Sequence, residues 1–170
     1  RVLVLFHGWK SFFPDLIEPG RRAMAEALHK RLIRQVLPEF LPTQRWFAGK
    51  GGRIERVEFE KYDIWADQSE WLLARVRVWL AGRAEPQDYG LPLALAWEED
   101  GDEKLRPLWP YALAKVRVRA RMGLLYDAFA EERFCQTLVK MIAQGARIPL
   151  GNGWLKFTAT RAFGELAGEA

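Results

Sequence analysis

The sequence predicts an α+β domain, a curved antiparallel β-sheet of about five to six strands with two long helices on one face. Three observations favour this class. The chain has 170 residues, 49% of them hydrophobic, which is enough to bury one core of ordinary size. Two stretches place apolar residues at helical spacing, and the segments between them alternate apolar and polar residues as half-buried strands do. The order helix, strands, helix, strand is typical of α+β domains.

The N-terminal part of the chain predicts a strand and a helix. Residues 1–7 are rich in Val, Leu and Phe and predict a short strand that ends at Gly8. A helix is predicted over 21–37, because apolar residues recur there at every fourth position, namely Met24, Leu28, Leu32 and Val36. Pro38 and Pro42 are expected to break it, since proline lacks the N–H that a helix interior needs.

A β-hairpin is predicted next. Arg53–Trp65 and Glu70–Leu80 carry β-favouring residues, and Asp67-Gln68-Ser69 between them are turn residues. A pairing centred on Asp67 and Gln68 would bring apolar residues together on one face and opposite charges on the other. The pairs expected from this register are Val57–Val78, Phe59–Val76, Glu58–Arg77 and Glu60–Arg75.

Three further strands and a second long helix are predicted in the C-terminal half. Leu91–Trp97 and Ala112–Ala120 are expected to be strands, with an acidic turn over 98–104 between them. The second helix is predicted over 123–145, because apolar residues recur along one side and its last residue is a glycine that suits the C-terminal cap. A last strand is predicted over 154–160.

Composition limits the classes of protein to consider. Lys and Arg number 26 against 22 Asp and Glu, a net charge of +4, and they form no dense basic stripe, so no nucleic-acid partner is expected. No apolar run is long enough to span a bilayer, so no membrane partner is expected either. Cys135 is the one cysteine, which excludes an internal disulfide and suits a reducing compartment, so we expect a cytoplasmic protein.

Residue types that carry chemistry are sparse. His7 and His29 fall in different elements and Cys135 has no evident base beside it, so neither a zinc site nor a nucleophile is predicted. Gly49-Lys50-Gly51-Gly52 lacks the phosphate-loop pattern, which needs glycine where Gln44 stands and Ser or Thr after the lysine. The glycine run is expected to be a structural hinge. We therefore predict no catalytic, cofactor-binding or metal-ligating residue in this chain.

Alternating basic residues mark the fourth predicted strand and its end. One interpretation is a surface that meets an anionic partner. The other is a solvent-facing side of the sheet whose charges are balanced by glutamates of neighbouring strands, and simple alternation favours this second interpretation. The basic residues are Lys115, Arg117, Arg119 and Arg121, and the glutamates are Glu58 and Glu60.

Four sequence blocks carry a resemblance to a known family. The first spans 36–50 and has Arg-Trp-Phe after a Leu-Pro step and shortly before a lysine; the others span 89–93, 125–128 and 153–157. Together, and in this order, they resemble the N-terminal cap domain of bacterial maltokinases, over a region that runs from Arg34 to Phe163. Residues 3–13 resemble the junction of proteins in which a trehalose synthase is followed by a maltokinase.

The resemblance implies a domain without catalytic residues of its own, cystatin-like in arrangement. It implies a junction segment over 1–20 and a cap domain over 21–170, packed beside the ATP-binding lobe of the same chain, with the trehalose synthase module as a further partner. The parent enzyme would use ATP and Mg²⁺ to phosphorylate maltose to maltose 1-phosphate, with those residues outside this chain. In the cap, Trp46 and Phe47 would be core anchors, and Arg45 and Lys50 would lie at the rim.

The tryptophans leave a second functional hypothesis open. The chain has 8 of them, and sugar-binding proteins often present aromatic rings as platforms. An independent α-glucan-binding module would be favoured if Trp71, Trp79 and Trp109 formed a row that faces solvent, whereas burial would make them core residues.

Overall fold

The computed structural model describes residues 2–65 and 71–166, and within these residues the strands form two sheets. Six strands form the larger sheet in the spatial order β1-β5-β6-β4-β3-β2, and two form a separate small sheet. In chain order the strands are β1 Val2–Val4, β2 Ile54–Trp65, β3 Trp71–Leu80, β4 Gln87–Trp97, β5 Ala112–Val118, β6 Arg121–Asp127, β7 Arg147–Leu150 and β8 Gly153–Lys156.

Helices precede, interrupt and follow the large sheet. The α-helices are α1 Arg22–Arg31, α2 Leu37–Phe40, α3 Asp102–Leu105, α4 Glu132–Gln144 and α5 Arg161–Leu166. A π-helical turn, Leu32–Val36, joins α1 to α2, and a 3-10 helix, Arg106–Tyr111, follows α3. None of the helices in the described part of the chain is long and apolar enough to cross a membrane.

The predicted fold class is confirmed. The structure is a mixed α and β domain with a strongly curled six-stranded sheet and helices. All neighbours in this sheet pair antiparallel except the short β1, which pairs parallel with β5. The small sheet was not expected: β8 begins where the last strand was predicted, ends at Lys156 rather than residue 160, and pairs with the unforeseen β7.

The predicted hairpin is formed by β2 and β3, with the expected register over residues 56–59 of β2. The confirmed pairs are Val57–Val78, Glu58–Arg77 and Phe59–Val76. The expected pair Glu60–Arg75 is wrong, because an irregularity after Phe59 brings Lys61 opposite Arg75, although Glu60 still reaches Arg75 at 3.5 Å. The predicted turn, Asp67-Gln68-Ser69, lies outside the described residues.

The predicted helix over 123–145 is wrong in its first part. Residues 121–127 form β6, and α4 begins only at Glu132. The strand is buried on both faces, so Leu124, Leu125 and Tyr126 are all in the core and the polar alternation that marks a half-buried strand is missing. The C-terminal end of the helix is as predicted: Gly145 takes the left-handed conformation, with φ of 60°.

The first long helix continues through its proline. It was expected to end near residue 37, yet α2 runs through Pro38 to Phe40. Because Pro38 has no N–H to donate, the helix widens just before it, and the Leu37 N–H donates to the Leu32 carbonyl five residues back. The π-helical turn thus absorbs the proline without ending the helix.

The sheet carries a core on each face, so the two long helices do not share one face as predicted. Adjacent residues Leu72 and Leu73 point to different cores, as alternate residues of a strand must. Leu28 of α1 packs in the first core, and Phe134 of α4 packs in the second. The helices therefore cover opposite faces, because each follows the apolar residues of a different side of the strands.

The segment before α1 belongs to the same folded unit. Its large side chains are buried in the first core; they are Leu3, Leu5, Trp9, Phe12 and Phe13. The Ser11 hydroxyl, itself buried, accepts hydrogen bonds from the backbone N–H groups of Phe6 and His7 at 3.0 and 2.7 Å. Residues 2–13 therefore fold together with the following helix and sheet.

Candidate functional site

Within the Arg-Trp-Phe block, one side chain lies in the core and two are exposed. Phe47 is buried, with 2% of its surface exposed, and its ring centroid lies 5.1 Å from that of Tyr89. Trp46 is 40% exposed, so the expectation that it lies in the core does not hold. Arg45 and Lys50 are exposed at the rim. Phe47, rather than Trp46, is the residue whose side chain the core encloses.

Trp46 lies beside a buried carboxylate. A hydrogen bond from its side chain is one of the influences that lower the pKa of Asp127, and its ring centroid lies 5.7 Å from that of Tyr89. Part of the Trp46 ring remains exposed. Trp46, Phe47, Tyr89 and Asp127 form one contiguous group, which we call the aromatic–aspartate junction.

Asp127 is the buried acid of this junction. Only 3% of the residue is exposed, and one carboxylate oxygen accepts the Phe129 N–H at 3.0 Å. Burial raises the pKa of Asp127, and the hydrogen bonds from Phe129 and Trp46 oppose that rise. Asp127 pairs with Leu93 across β6 and β4. Three of the four blocks that carry the family resemblance therefore meet at one place.

A second buried network supports the start of α4. The indole N–H of Trp71 and the hydroxyl of Tyr126 both donate to Oε2 of Glu131, at 3.0 and 3.1 Å. Burial, followed by the charge and hydrogen bond of Glu131, raises the pKa of Tyr126. Glu131 is the residue that precedes α4, so this network fixes where the helix leaves the sheet.

An ion-paired row crosses the outer surface of β3 and β4. Arg77 contacts both carboxylate oxygens of Asp88, at 2.8 and 3.0 Å, and Arg75 reaches the same carboxylate at 2.5 Å. The hydrogen bond from Arg77, with a further contribution from Arg75, lowers the pKa of Asp88 to about 2. These ion pairs link β3 to β4, and each charged group in them has a partner of opposite charge.

The glycine run after the Arg-Trp-Phe block has structural causes. A Cβ at Gly49 would lie 2.7 Å from Cζ of Phe47 and 2.9 Å from Cδ1 of Leu80. Gly51 has φ of 81°, a conformation that favours glycine. The run leads into β2 rather than into a helix whose N-terminus could hold phosphate. These contacts give the run a structural role at the entry to β2.

The alternating basic residues do not form one ladder. Lys115 and Arg117 lie on β5, Arg119 occupies the turn with φ of 53°, and Arg121 begins β6 and pairs with Glu99. The strand order places β2, with Glu58 and Glu60, at the far edge of the sheet from β5, so these glutamates cannot balance the charges as expected.

The tryptophans named for glucan binding do not form a row. Trp71 is 2% exposed and lies in the second core. Trp79 is covered by Arg56, whose guanidinium lies 3.7 Å from the ring centroid. Of the three, Trp109 alone is strongly exposed, at 49%. The structure therefore lacks the arrangement that would favour the glucan-binding hypothesis.

The described residues contain no group of three or more His, Cys, Asp or Glu that could hold a metal ion. His29 donates a hydrogen bond from Nδ1 to the Phe12 carbonyl at 2.8 Å and packs between aromatic rings, and Cys135 points to the Phe129 carbonyl at 3.4 Å. These contacts are those of packed structural residues.

The comparisons with known proteins give one match. The sequence model of the family described as the maltokinase N-terminal cap domain matches residues 40–130. This range contains the whole aromatic–aspartate junction and ends three residues after β6. Neither the curated proteins nor the solved structures include a match to the chain.

Proposed function

The chain belongs to the maltokinase N-terminal cap family, and from this we propose that it serves as the non-catalytic cap of a kinase that phosphorylates maltose with ATP. The observation that carries the proposal is the family match over 40–130. The sequence blocks on which the resemblance rests support it, since three of them converge on the aromatic–aspartate junction. The residues that would perform phosphoryl transfer belong to the parent enzyme outside this chain.

The parent enzyme would need ATP and Mg²⁺, and the residues of this chain do not fit either of them. Mg²⁺ prefers oxygen ligands, usually carboxylates and substrate phosphates, and the described residues contain no group of three or more acidic side chains placed to hold a metal ion. At Gly49, Phe47 and Leu80 fill the space that an added Cβ would need. In this proposal the chain supports the parent enzyme, and the chemistry takes place on other residues of that enzyme.

We propose that the cap supports the ATP-binding lobe of the same polypeptide. A junction of aromatic rings around a buried carboxylate that accepts a backbone hydrogen bond has few alternative arrangements, because its polar groups must stay paired. It would hold the cap as a rigid body against which the lobe packs. In this proposal the parent is cytoplasmic, residues 1–20 are the junction that follows a trehalose synthase module, and residues 21–170 are the cap, with that module as a further partner.

The test is an assay of the parent enzyme for ATP-dependent phosphorylation of maltose. We would compare the intact protein with the variants Asp127→Ala and Trp46→Phe and with a deletion of residues 2–166, each checked for folding of the remainder by circular dichroism. Activity in the intact protein, with a higher KM for ATP or a lower kcat in the deletion and in Asp127→Ala, is the expected result. Phe at position 46 keeps an aromatic ring but removes the indole N–H and reduces the size of the side chain, so it should have a smaller effect.

Two outcomes would contradict this proposal. An intact parent that does not phosphorylate maltose would reject the kinase assignment. A folded deletion variant with unchanged kcat and KM for ATP would leave the assignment in place and reject the supporting role of the cap.

A further inference from the structure

One side of the domain combines exposed aromatic and basic residues. Val4, Trp109 and Tyr111 are 45%, 49% and 45% exposed. The register places Val4 beside Arg117, and Nζ of Lys115 lies 5.3 Å from the ring centroid of Trp109. These five residues form what we call the basic–aromatic surface. Trp, Tyr and Arg are the residue types that contribute most to binding at protein interfaces.

The cations of this surface lack anionic partners within the described residues. The ion pairs of the described chain involve other arginines, and neither Lys115 nor Arg117 takes part in one. Both side chains are exposed. An exposed cation beside an exposed tryptophan is a group available to an acidic surface of another molecule.

An acidic segment lies nearby in the same chain. Five of the six residues from 98 to 103 are exposed carboxylates, and of these, within residues 2–65 and 71–166, Glu99 alone forms an ion pair, with Arg121. Lys104 and Arg106 follow but leave the stretch net acidic. The acidic residues are Glu98, Glu99, Asp100, Asp102 and Glu103.

The two surfaces flank one element. The acidic segment precedes the 3-10 helix Arg106–Tyr111, the strand that carries Lys115 and Arg117 follows it, and the helix itself presents Trp109 and Tyr111. In a dimer with a two-fold axis, each copy offers the same patch to the other. The dimer considered has its axis near Trp109, with the acidic segment of each copy against the basic strand of its partner.

We propose that a second copy of this chain docks on the basic–aromatic surface, with Trp109 at the centre and the acidic segment of the partner against Lys115 and Arg117. The opposite charges of two exposed segments that flank an exposed tryptophan in the sequence carry this inference, which is independent of the proposed cap function. Because the charged groups are exposed, the dimer should weaken as salt screens them.

Sedimentation velocity of the full 170-residue chain tests the proposal. Between about 5 and 200 μM in low salt we expect a monomer–dimer equilibrium, with a dissociation constant that rises at least about tenfold between about 50 and 500 mM NaCl. Trp109→Ala should weaken the dimer by a further factor of about ten or more, as loss of a central aromatic residue does. A chain that stays monomeric throughout this range would overturn the proposal.

Charge reversal identifies the surfaces. Lys115→Glu with Arg117→Glu should yield a monomer, and so should Glu98→Lys with Glu103→Lys, whereas an equimolar mixture of the two double variants should recover a heterodimer. Lys30→Glu with Arg34→Glu is the matched control, since both residues are exposed on the first long helix and the change in net charge is the same.

Persistence of the dimer in either test variant, or failure of the mixture to associate while each variant keeps its native circular dichroism spectrum, would refute the pairing of these surfaces. Anisotropy with a fluorescent 20-nucleotide single strand tests the competing occupant. A monomeric wild type that binds the strand through Lys115 and Arg117 would show that the surface serves a polyanion instead.

Discussion

Gly49 offers a direct test of why the glycine run exists. A Cβ at this position would lie 2.7 and 2.9 Å from Cζ and Cε1 of Phe47 and 2.9 Å from Cδ1 of Leu80, all closer than a carbon contact allows. Phe47 and Leu80 are each only 2% exposed, so neither side chain can move into solvent. We expect Gly49→Ala to lower the free energy of unfolding by about 1–3 kcal/mol, the cost of overpacking a filled core.

Urea denaturation followed by tryptophan fluorescence measures this loss. Gly90→Ala is the matched control, because a Cβ there would meet no heavy atom within 4 Å and the backbone φ is not positive. We expect the control to change stability by no more than about 0.5 kcal/mol. If Gly49 instead served a ligand, Gly49→Ala would be as stable as the control.

A double-mutant cycle identifies the atoms responsible. Phe47→Leu removes the two ring atoms that a Cβ at position 49 would strike, so the double variant should be less destabilised than the sum of the single variants, by about 1 kcal/mol. Additive losses would refute the proposed contact and assign the cost of Gly49→Ala to the backbone alone.

Four further predictions concern the core and the charged groups. A Cβ at Gly123 would lie 2.3 Å from the backbone oxygen of Ala96, so Gly123→Ala should lower the urea midpoint more than Gly49→Ala does, because a backbone atom cannot rotate away. Glu131→Ala leaves two buried donors unpaired and should cost about 1–3 kcal/mol by the same measurement, and a near-zero loss would contradict the network. The pKa of Asp88 is about 2 in the folded chain and about 4 in the unfolded chain. The stability that this carboxylate contributes is therefore complete above pH ~4 and is lost as the pH falls towards 2. Asp88→Asn should reduce the loss of stability at acid pH, and an unchanged loss would contradict the ion pair. The folded pKa of Tyr126 is raised, so stability should decline above pH ~10, where the unfolded chain ionises first, and Tyr126→Phe should reduce that decline in alkaline melts.

The sequence pattern predicted the hairpin better than the elements around it. Strands β2 and β3 have one polar and one apolar face over much of their length, so a single register satisfied both, and three of the four expected pairs formed. The irregularity after Phe59 could not be read from the pattern, because an extra residue in one strand changes pairing without changing residue types.

Burial on both faces explains the main error. A strand such as β6, enclosed by two cores, shows a run of apolar residues with no period of two, and a run of this kind next to a true helix extends the apparent helical pattern. For the same reason, the face of the sheet that α4 covers was predicted wrongly. The apolar side of α4 could be recognised in the sequence, but the face that it covers depends on where β6 ends.

The aromatic–aspartate junction lay beyond prediction from the pattern. The sequence marked Trp46 and Asp127 only as members of separate blocks, and their proximity depends on a fold that brings distant residues together. The family resemblance placed Trp46 in the core, whereas 40% of the residue is exposed.

The margins of the sheet are its two edge strands, which influence whether the protein aggregates at high concentration. An open strand can recruit the backbone of another molecule and begin a fibril. Here one margin, β1, has three residues and its Val2 carbonyl accepts a hydrogen bond from Arg31, while the other, β2, is interrupted by two irregularities and carries charged side chains along its length. Neither of these margins offers a long regular template, so any fibril formed on heating should follow unfolding rather than precede it.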